Sequence, residues 1–186
     1  MRAGPGLRAS LAAALAAAAA FCVTTLCAQL PEGAPFPDRN NAFGGVAFGA
    51  TLEEAQQKWQ LEKIEAAAAP DDPVALYLRQ EESLLLGGAV AREVVYYFVN
   101  GRFYAVGFLT PDQRQTEIVR EALELGYGAP PHADGDSIVW PGRMVSAQML
   151  LDSANGEGRV LLFSNELQPS YEKSLRDAAA KTAAGL

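Results

Sequence analysis

The dipeptide Asn100-Gly101 constrains the fold of this chain more than any other feature of its sequence. It separates two runs of β-branched and aromatic residues, 92–99 and 102–109. Asn-Gly suits a two-residue hairpin turn of type I′, because both turn positions need a positive φ. The sequence therefore predicts an antiparallel β-hairpin over these two runs.

A two-residue turn also predicts which side chains share a face of the hairpin. It pairs Tyr97 with Tyr104, and on the same face it sets Val95 opposite Val106. Arg102 flanks this patch beside the turn. An apolar patch edged by hydroxyl groups is typical of an interaction site, and we interpret these five residues as a binding surface. The alternative is that the C-terminal helix or the N-terminal leader covers them.

Two capping signals predict where helices begin. Thr51 and Glu54 fit the capping box, in which the two side chains satisfy two otherwise unpaired backbone N–H groups. Thr110 with Pro111 at the first helical position gives a second start, and Gly126 is expected to end that helix.

Short β-rich runs bounded by turn residues account for most of the remaining chain. Apolar residues alternate over 74–79, and further strands are predicted at 137–140, 144–152 and 159–164. An amphipathic helix is predicted at 170–182. The fold class is therefore α+β. We expect an antiparallel sheet built from two tandem helix-then-strands units, with helices packed on one face and an extra C-terminal helix.

The first residues have the charge order of a secretory signal peptide. Arg2 and Arg8 precede an uncharged, alanine-rich stretch, and the first acidic residue is Glu32. We place cleavage after Ala28, with cleavage after Cys27 as the alternative. A further alternative is an uncleaved anchor in the inner membrane, since the apolar stretch approaches the roughly 20 residues that span a bilayer.

Export and cleavage divide the chain into four predicted parts. These are a signal peptide at 1–28, a flexible leader at 29–42, an α+β domain at 43–166, and a C-terminal helix and tail at 167–186. Cleavage after Ala28 would remove both cysteines, so the predicted periplasmic or secreted protein has neither a disulfide nor a thiolate metal site.

Charge limits the classes of partner. The chain carries 15 Lys and Arg against 22 Asp and Glu, for a net charge of −7. No run of basic residues follows the predicted signal peptide at 1–28. Nucleic acids and anionic membranes are bound through clustered basic residues, so neither is an expected partner. An envelope protein or peptide is the expected partner, and the oligomeric state stays open.

Two segments resemble small periplasmic α/β modules. The segment 48–55 (FGATLEEA) is similar to their helix entry, and 125–130 (LGYGAP), leading to the strand with Trp140, is similar to a later feature. The chain resembles the SmpA/OmlA outer-membrane assembly lipoproteins and the fold of the β-lactamase inhibitor proteins. The resemblance implies binding rather than catalysis. The chain departs from the first family by lacking its lipidated cysteine and from the second by lacking its disulfides.

One short segment holds the residues from which a catalytic site could be built. His132, the single histidine, precedes Asp134, Asp136 and Ser137 in a predicted loop. A relay of histidine, aspartate and serine would suit a small envelope hydrolase, and the two aspartates alone could face a calcium ion. Neither pattern is complete, so we assign no catalytic residue, metal or cofactor. Scattered carboxylates offer no specific pair for glycoside chemistry: Glu81, Glu82, Glu93 and Asp152.

These observations predict a non-enzymatic, envelope-associated binding module that uses an aromatic sheet face. Two alternatives stay open. One is the small hydrolase that uses His132 and acidic residues, and the other is a carrier of a hydrophobic ligand between sheet and helices.

Overall fold

The computed structural model describes residues 41–64, 73–79, 84–86 and 88–184. The predicted signal peptide at 1–28, nearly all of the leader, and both Glu81 and Glu82 lie outside the described residues. Within these ranges no helix is both long and apolar enough to cross a membrane.

The described residues form an α+β structure dominated by one large antiparallel sheet, as the sequence predicts. A separate pair of short strands precedes it, and three helices pack around it. The strands are β1 (Ala42–Phe43), β2 (Val46–Ala47), β3 (Leu61–Lys63), β4 (Val74–Arg79), β5 (Leu84–Leu86), β6 (Ala89–Val99), β7 (Arg102–Thr110), β8 (His132–Asp134), β9 (Ser137–Trp140), β10 (Val145–Asp152) and β11 (Glu157–Ser164). The helices are α1 (Leu52–Gln56), α2 (Gln113–Tyr127) and α3 (Gln168–Ala184).

The large sheet has the strand order β3-β4-β6-β7-β11-β10-β9-β8, and β5 also pairs with β6. The predicted hairpin forms its middle. Asn100 and Gly101 adopt φ values of 50° and 74°, as the turn requires. The predicted strands at 74–79 and 137–140 have the expected bounds.

The capping box at Thr51 forms as predicted. The backbone N–H of Glu54 donates to the Thr51 hydroxyl at 3.2 Å, and the N–H of Thr51 donates to the Glu54 carboxylate at 2.8 Å. The second predicted cap is wrong. Asp112 caps α2, with its carboxylate accepting from the N–H of Gln115 at 2.9 Å, because Thr110 ends β7 and is fully buried there.

The register that the sequence predicts for the hairpin holds beside the turn and again at the far end, but not in the middle. Phe98 lies opposite Phe103, but Tyr97 lies opposite Ala105 rather than Tyr104. Tyr104 is therefore the extra residue of a β-bulge in β7.

A second irregularity compensates for the first. Val95 lies opposite Gly107, and Val106 lies opposite Tyr96, so the predicted pairing of Val95 with Val106 is wrong. Farther along, β6 carries an extra residue where Glu93 adopts a φ of 54°. With one additional residue on each strand, the pairing at the far end of the hairpin returns to the register set by the turn.

Each face of the sheet supports a separate hydrophobic core. The larger core lies on the face that packs against α1 and α2, and Trp59, Tyr96, Phe103 and Trp140 belong to it. The smaller core lies on the opposite face, beneath α3. Its buried members are Ile64, Leu76, Val95, Tyr97, Val99, Tyr104, Ala105, Leu161 and Tyr171.

Candidate functional site

The predicted binding surface is divided between both faces of the sheet and is mostly buried. Tyr97, Tyr104 and Val95 belong to the core beneath α3, with exposed fractions of 0%, 1% and 2%. Val106 belongs to the opposite core, because the bulge in β7 changes the direction of its side chain. Arg102 is exposed, and its guanidinium donates to the carbonyl of Gly49 at 3.0 Å. The structure thus brings three of the five residues together, under a helix.

The first two turns of α3 form this cover. The ring of Tyr171 stacks on the ring of Tyr104, with centroids 4.6 Å apart and planes 22° from parallel. The Tyr104 hydroxyl donates to the side-chain carbonyl of Gln168. Phe163, at the end of β11, lies beside Tyr104 with its ring centroid 6.3 Å away and is only half-buried.

The contact between α3 and the sheet contains few apolar side chains. Tyr171 is the fully buried apolar residue of the helix, and Leu175 is half-buried. Ser174 also faces inward, but its hydroxyl donates to the carbonyl of Ser170 in its own helix at 2.9 Å. Beyond Leu175, every side chain whose burial the structure describes is exposed. Tyr171 therefore makes the main apolar contact of the helix, beside the hydrogen bond between Tyr104 and Gln168.

The Tyr97 hydroxyl is buried and has no hydrogen-bond partner among the described residues. Burial raises the pKa of Tyr97 far above its usual range, and the nearby Tyr171 raises it further. Burial likewise raises the pKa of Tyr104, with Tyr171 adding to the effect. A buried polar group without a partner costs free energy, so this hydroxyl destabilises the arrangement in which α3 covers the sheet.

We expect opposite effects from removing the two hydroxyl groups. Tyr97→Phe should raise the free energy of unfolding by about 1 kcal/mol, because it removes an unpaired buried group. Tyr104→Phe should lower it by about 1–2 kcal/mol, because it leaves Gln168 without its donor. Urea unfolding of both variants measures the difference. Equal losses in the two variants would show that Tyr97 has a partner in the folded protein.

The residues considered for catalysis form a hairpin, and the predicted loop at 132–137 is wrong. β8 pairs with β9, with His132 opposite Val139 and Asp134 opposite Ser137. The short turn around Gly135, which has a φ of 55°, allows this pairing. Among the described residues, no group of three or more His, Cys, Asp or Glu side chains could hold a metal ion.

An open cleft of about 530 Å³ lies between the start of α2 and the turn that joins β10 to β11. Its lining includes Glu117, Asp136, Asp152 and Glu157, with Arg120 beside them. Four carboxylates and one guanidinium disfavour anionic ligands. Glu93, another carboxylate considered for catalysis, lies at the bulge in β6; its side chain is largely exposed, and partial desolvation of its carboxyl group raises its pKa.

Sequence reasoning missed Gln168 and Tyr171, which make the most specific contacts of the covered face. Their spacing of three residues, with Leu175 four residues farther on, is a helical pattern that could have identified the inward side of α3. It could not have identified the strand that this side contacts.

Comparisons with known proteins do not assign the chain to a family. No family model matches it, and no curated protein matches it. Among solved structures it is similar to an immunity protein of the Stenotrophomonas maltophilia type IV secretion system, with 11% sequence identity and a TM-score of 0.20. The alignment covers 82% of this chain and 66% of that protein, which is just under two thirds of its length. A TM-score of this size does not establish a common fold.

Proposed function

We propose that this chain is an exported, non-enzymatic protein-binding module that receives an envelope protein on the sheet face beneath α3. The observation that carries the proposal is that the helix covering this face buries few apolar side chains and leaves the Tyr97 hydroxyl without a hydrogen-bond partner among the described residues. Tyr171 is the fully buried apolar residue of that helix. The binding surface in this proposal consists of Tyr97, Tyr104 and Val95.

The proposal requires a partner to overcome the free energy that holds α3 to the sheet, which includes the hydrogen bond of Gln168 and the packing of Leu167. Burial of Tyr171 and Leu175 contributes roughly 1.5–3 kcal/mol for each side chain, less for Leu175 because it is only half-buried. Ordering of side chains on docking offsets part of this gain. Local opening with a free energy well below that of global unfolding is common in proteins. A partner that binds only the open state would shift the population toward it.

The composition of the face favours a protein over a small polar substrate. Tyrosine rings beside aliphatic side chains combine a large apolar area with hydroxyl groups, a composition enriched at protein interfaces. Tyr97 and Tyr104 have this character, and Val95 and Leu76 supply the aliphatic area between β6 and β4. The predicted signal peptide at 1–28, with Arg2 and Arg8 before its apolar stretch, supports export, which would place the module in the periplasm or outside the cell.

A photo-crosslinking experiment tests the proposal directly. The chain of residues 1–186 carries benzoylphenylalanine in place of Phe163, which lies half-buried on the covered face, and is irradiated in an extract of the cell envelope. We expect a covalent adduct with a second protein. The intact mass of the recovered chain also shows whether cleavage after Ala28 has occurred.

Phe43 provides the matched control, because it is an equally half-buried phenylalanine packed against the opposite core. Benzoylphenylalanine at that position should give no adduct with the same protein. The proposal fails if the probe at position 163 reacts only within its own chain.

A further inference from the structure

We infer that the partner supplies an amphipathic helix, which takes the place of α3 on the sheet. The inference rests on the proposed function and adds the chemistry of the partner. The partner helix carries a side-chain hydrogen-bond acceptor, an aromatic residue three positions later and an apolar residue four positions after that. This is the pattern of Gln168, Tyr171 and Leu175 in α3.

The shape of the site comes from four adjacent strands. Leu76 on β4, Tyr97 on β6, Tyr104 on β7 and Leu161 on β11 belong to the core that α3 covers. A helix fills this surface in the folded chain, and residues at i, i+3 and i+7 share one helical face. Recognition of an amphipathic helix through such anchors is a recurring mode of protein binding.

The chemistry of the site calls for a hydrogen-bond acceptor that α3 does not provide. Gln168 accepts from Tyr104, but no described residue accepts from Tyr97. Ser174 faces the sheet with its hydroxyl directed back to Ser170. A helix from another protein could offer one acceptor to the Tyr104 hydroxyl, as Gln168 does, and a second acceptor to the Tyr97 hydroxyl. Such a helix would pair both hydroxyl groups, so it would bind this face better than α3 does.

The connection between β11 and α3 would also allow α3 to detach while the strands of the sheet remain paired. Asn165 follows β11 directly and is fixed to the neighbouring loop, since its side-chain amide donates to the carbonyl of Gly142 at 2.7 Å and its carbonyl accepts from Ser146 at 2.8 Å. Only residues 166–167 separate this anchor from the helix. The ion pair between Lys173 and Asp177, at 2.6 Å, lies within the helix, so it survives release.

A peptide in trans tests whether the face recognises a helix. The probe is a fluorescein-labelled synthetic peptide with the sequence of residues 166–182, and the protein is the full chain carrying Tyr171→Ala. Loss of the Tyr171 ring weakens the contact of the chain's own α3, which competes with the peptide for this face. We expect the labelled peptide to bind this variant with a Kd at least roughly tenfold lower than for the unaltered chain, measured by fluorescence anisotropy.

Variant peptides show whether the anchors act as inferred. Tyr171→Ala or Gln168→Ala in the peptide should each raise the Kd about tenfold or more, because each removes a contact with Tyr104. Lys181→Ala, at an exposed position, should leave the Kd unchanged and serves as the matched control. If the Tyr171→Ala protein does not fold, the same measurements use Leu175→Ala, which removes a half-buried side chain.

The two proposals fail in different ways. The helix inference is overturned if the native peptide does not bind the opened protein, or if all four peptides bind it equally. An adduct at position 163 without peptide binding would keep the proposed function and reject the helix. Peptide binding without a crosslinked adduct would show that the face can bind a helix but that no protein of the envelope extract binds there. That result would reject the proposed function.

Discussion

Replacing Gly156 with alanine is expected to lower the free energy of unfolding by about 3 kcal/mol, because it adds a steric clash to a strained backbone angle. Gly156 adopts a φ of 73° in the turn between β10 and β11. A β-carbon there would lie 2.8 Å from the β-carbon and 3.0 Å from the backbone nitrogen of Gln113. Because one of these atoms belongs to the backbone of α2, the clash moves the helix or the turn.

Gly101→Ala separates backbone strain from this clash. Gly101 has nearly the same φ, 74°, but a β-carbon there would meet nothing within 4 Å. We therefore expect a loss of about 1–2 kcal/mol from the left-handed backbone alone. Urea unfolding monitored by circular dichroism compares the two variants. Equal losses would show that the turn does not approach α2 as closely as the structure has it.

The Gly156 contact also positions one wall of the acidic cleft. The Thr116 hydroxyl on α2 donates to the carbonyl of Gly156 at 2.9 Å and lies beside the buried hydroxyl of Thr110. The amide of Gly158 donates to Thr110 at 2.8 Å. The turn is therefore tied to the first part of α2 both by hydrogen bonds and by direct backbone contact.

Alkaline pH is expected to unfold this protein steeply. Burial raises the pKa values of Tyr97, Tyr104 and Tyr127 well above that of a free tyrosine. The unfolded chain loses these three protons near pH 10, about where free tyrosine titrates, whereas the folded chain retains them. Stability is fully present below that pH and falls as the pH rises, by about 1.4 kcal/mol per pH unit for each tyrosine.

Spectroscopy and a hydroxyl-free variant test this dependence. We expect the ultraviolet absorbance of tyrosinate from these residues to rise together with unfolding, rather than before it. Tyr97→Phe should make the fall of the unfolding free energy with rising pH less steep, by about 1.4 kcal/mol per pH unit above pH 10, because it removes one group whose pKa burial raises. Ionisation of all the tyrosines near pH 10 in a folded protein would contradict the burial described above.

The sequence and the structure agree most closely where a structural feature depends on neighbouring residues. Asn100 and Gly101 determine the hairpin because their own φ values define the turn. Thr51 and Glu54 determine the start of α1, since the two bonds of the capping box join residues three apart. The second cap was wrong by two residues, because Thr110 and Asp112 both fit the local pattern and only burial in the sheet separates them.

The candidate site depends on contacts between residues far apart in the sequence, which local sequence patterns do not predict. The sequence predicted the aromatic hairpin and an amphipathic C-terminal helix, but it could not determine that this helix covers Tyr97 and Tyr104. The hydrogen bond from the Tyr104 hydroxyl to the Gln168 side chain joins residues 64 positions apart. A turn sets the pairing next to itself, and the bulge at Tyr104 moved Val106 to the opposite face of the sheet.

The sequence by itself therefore determined the elements of this protein: the turn, one helix cap, the alternation of the strands and the α+β class. Those features follow from backbone dihedral angles and from hydrogen bonds within a few residues. Only the tertiary structure decided which aromatic residues became core and which helix covers them. That outcome follows from the packing of segments that are distant in the sequence: α1 and α2 bury one face of the sheet, and α3 buries the other.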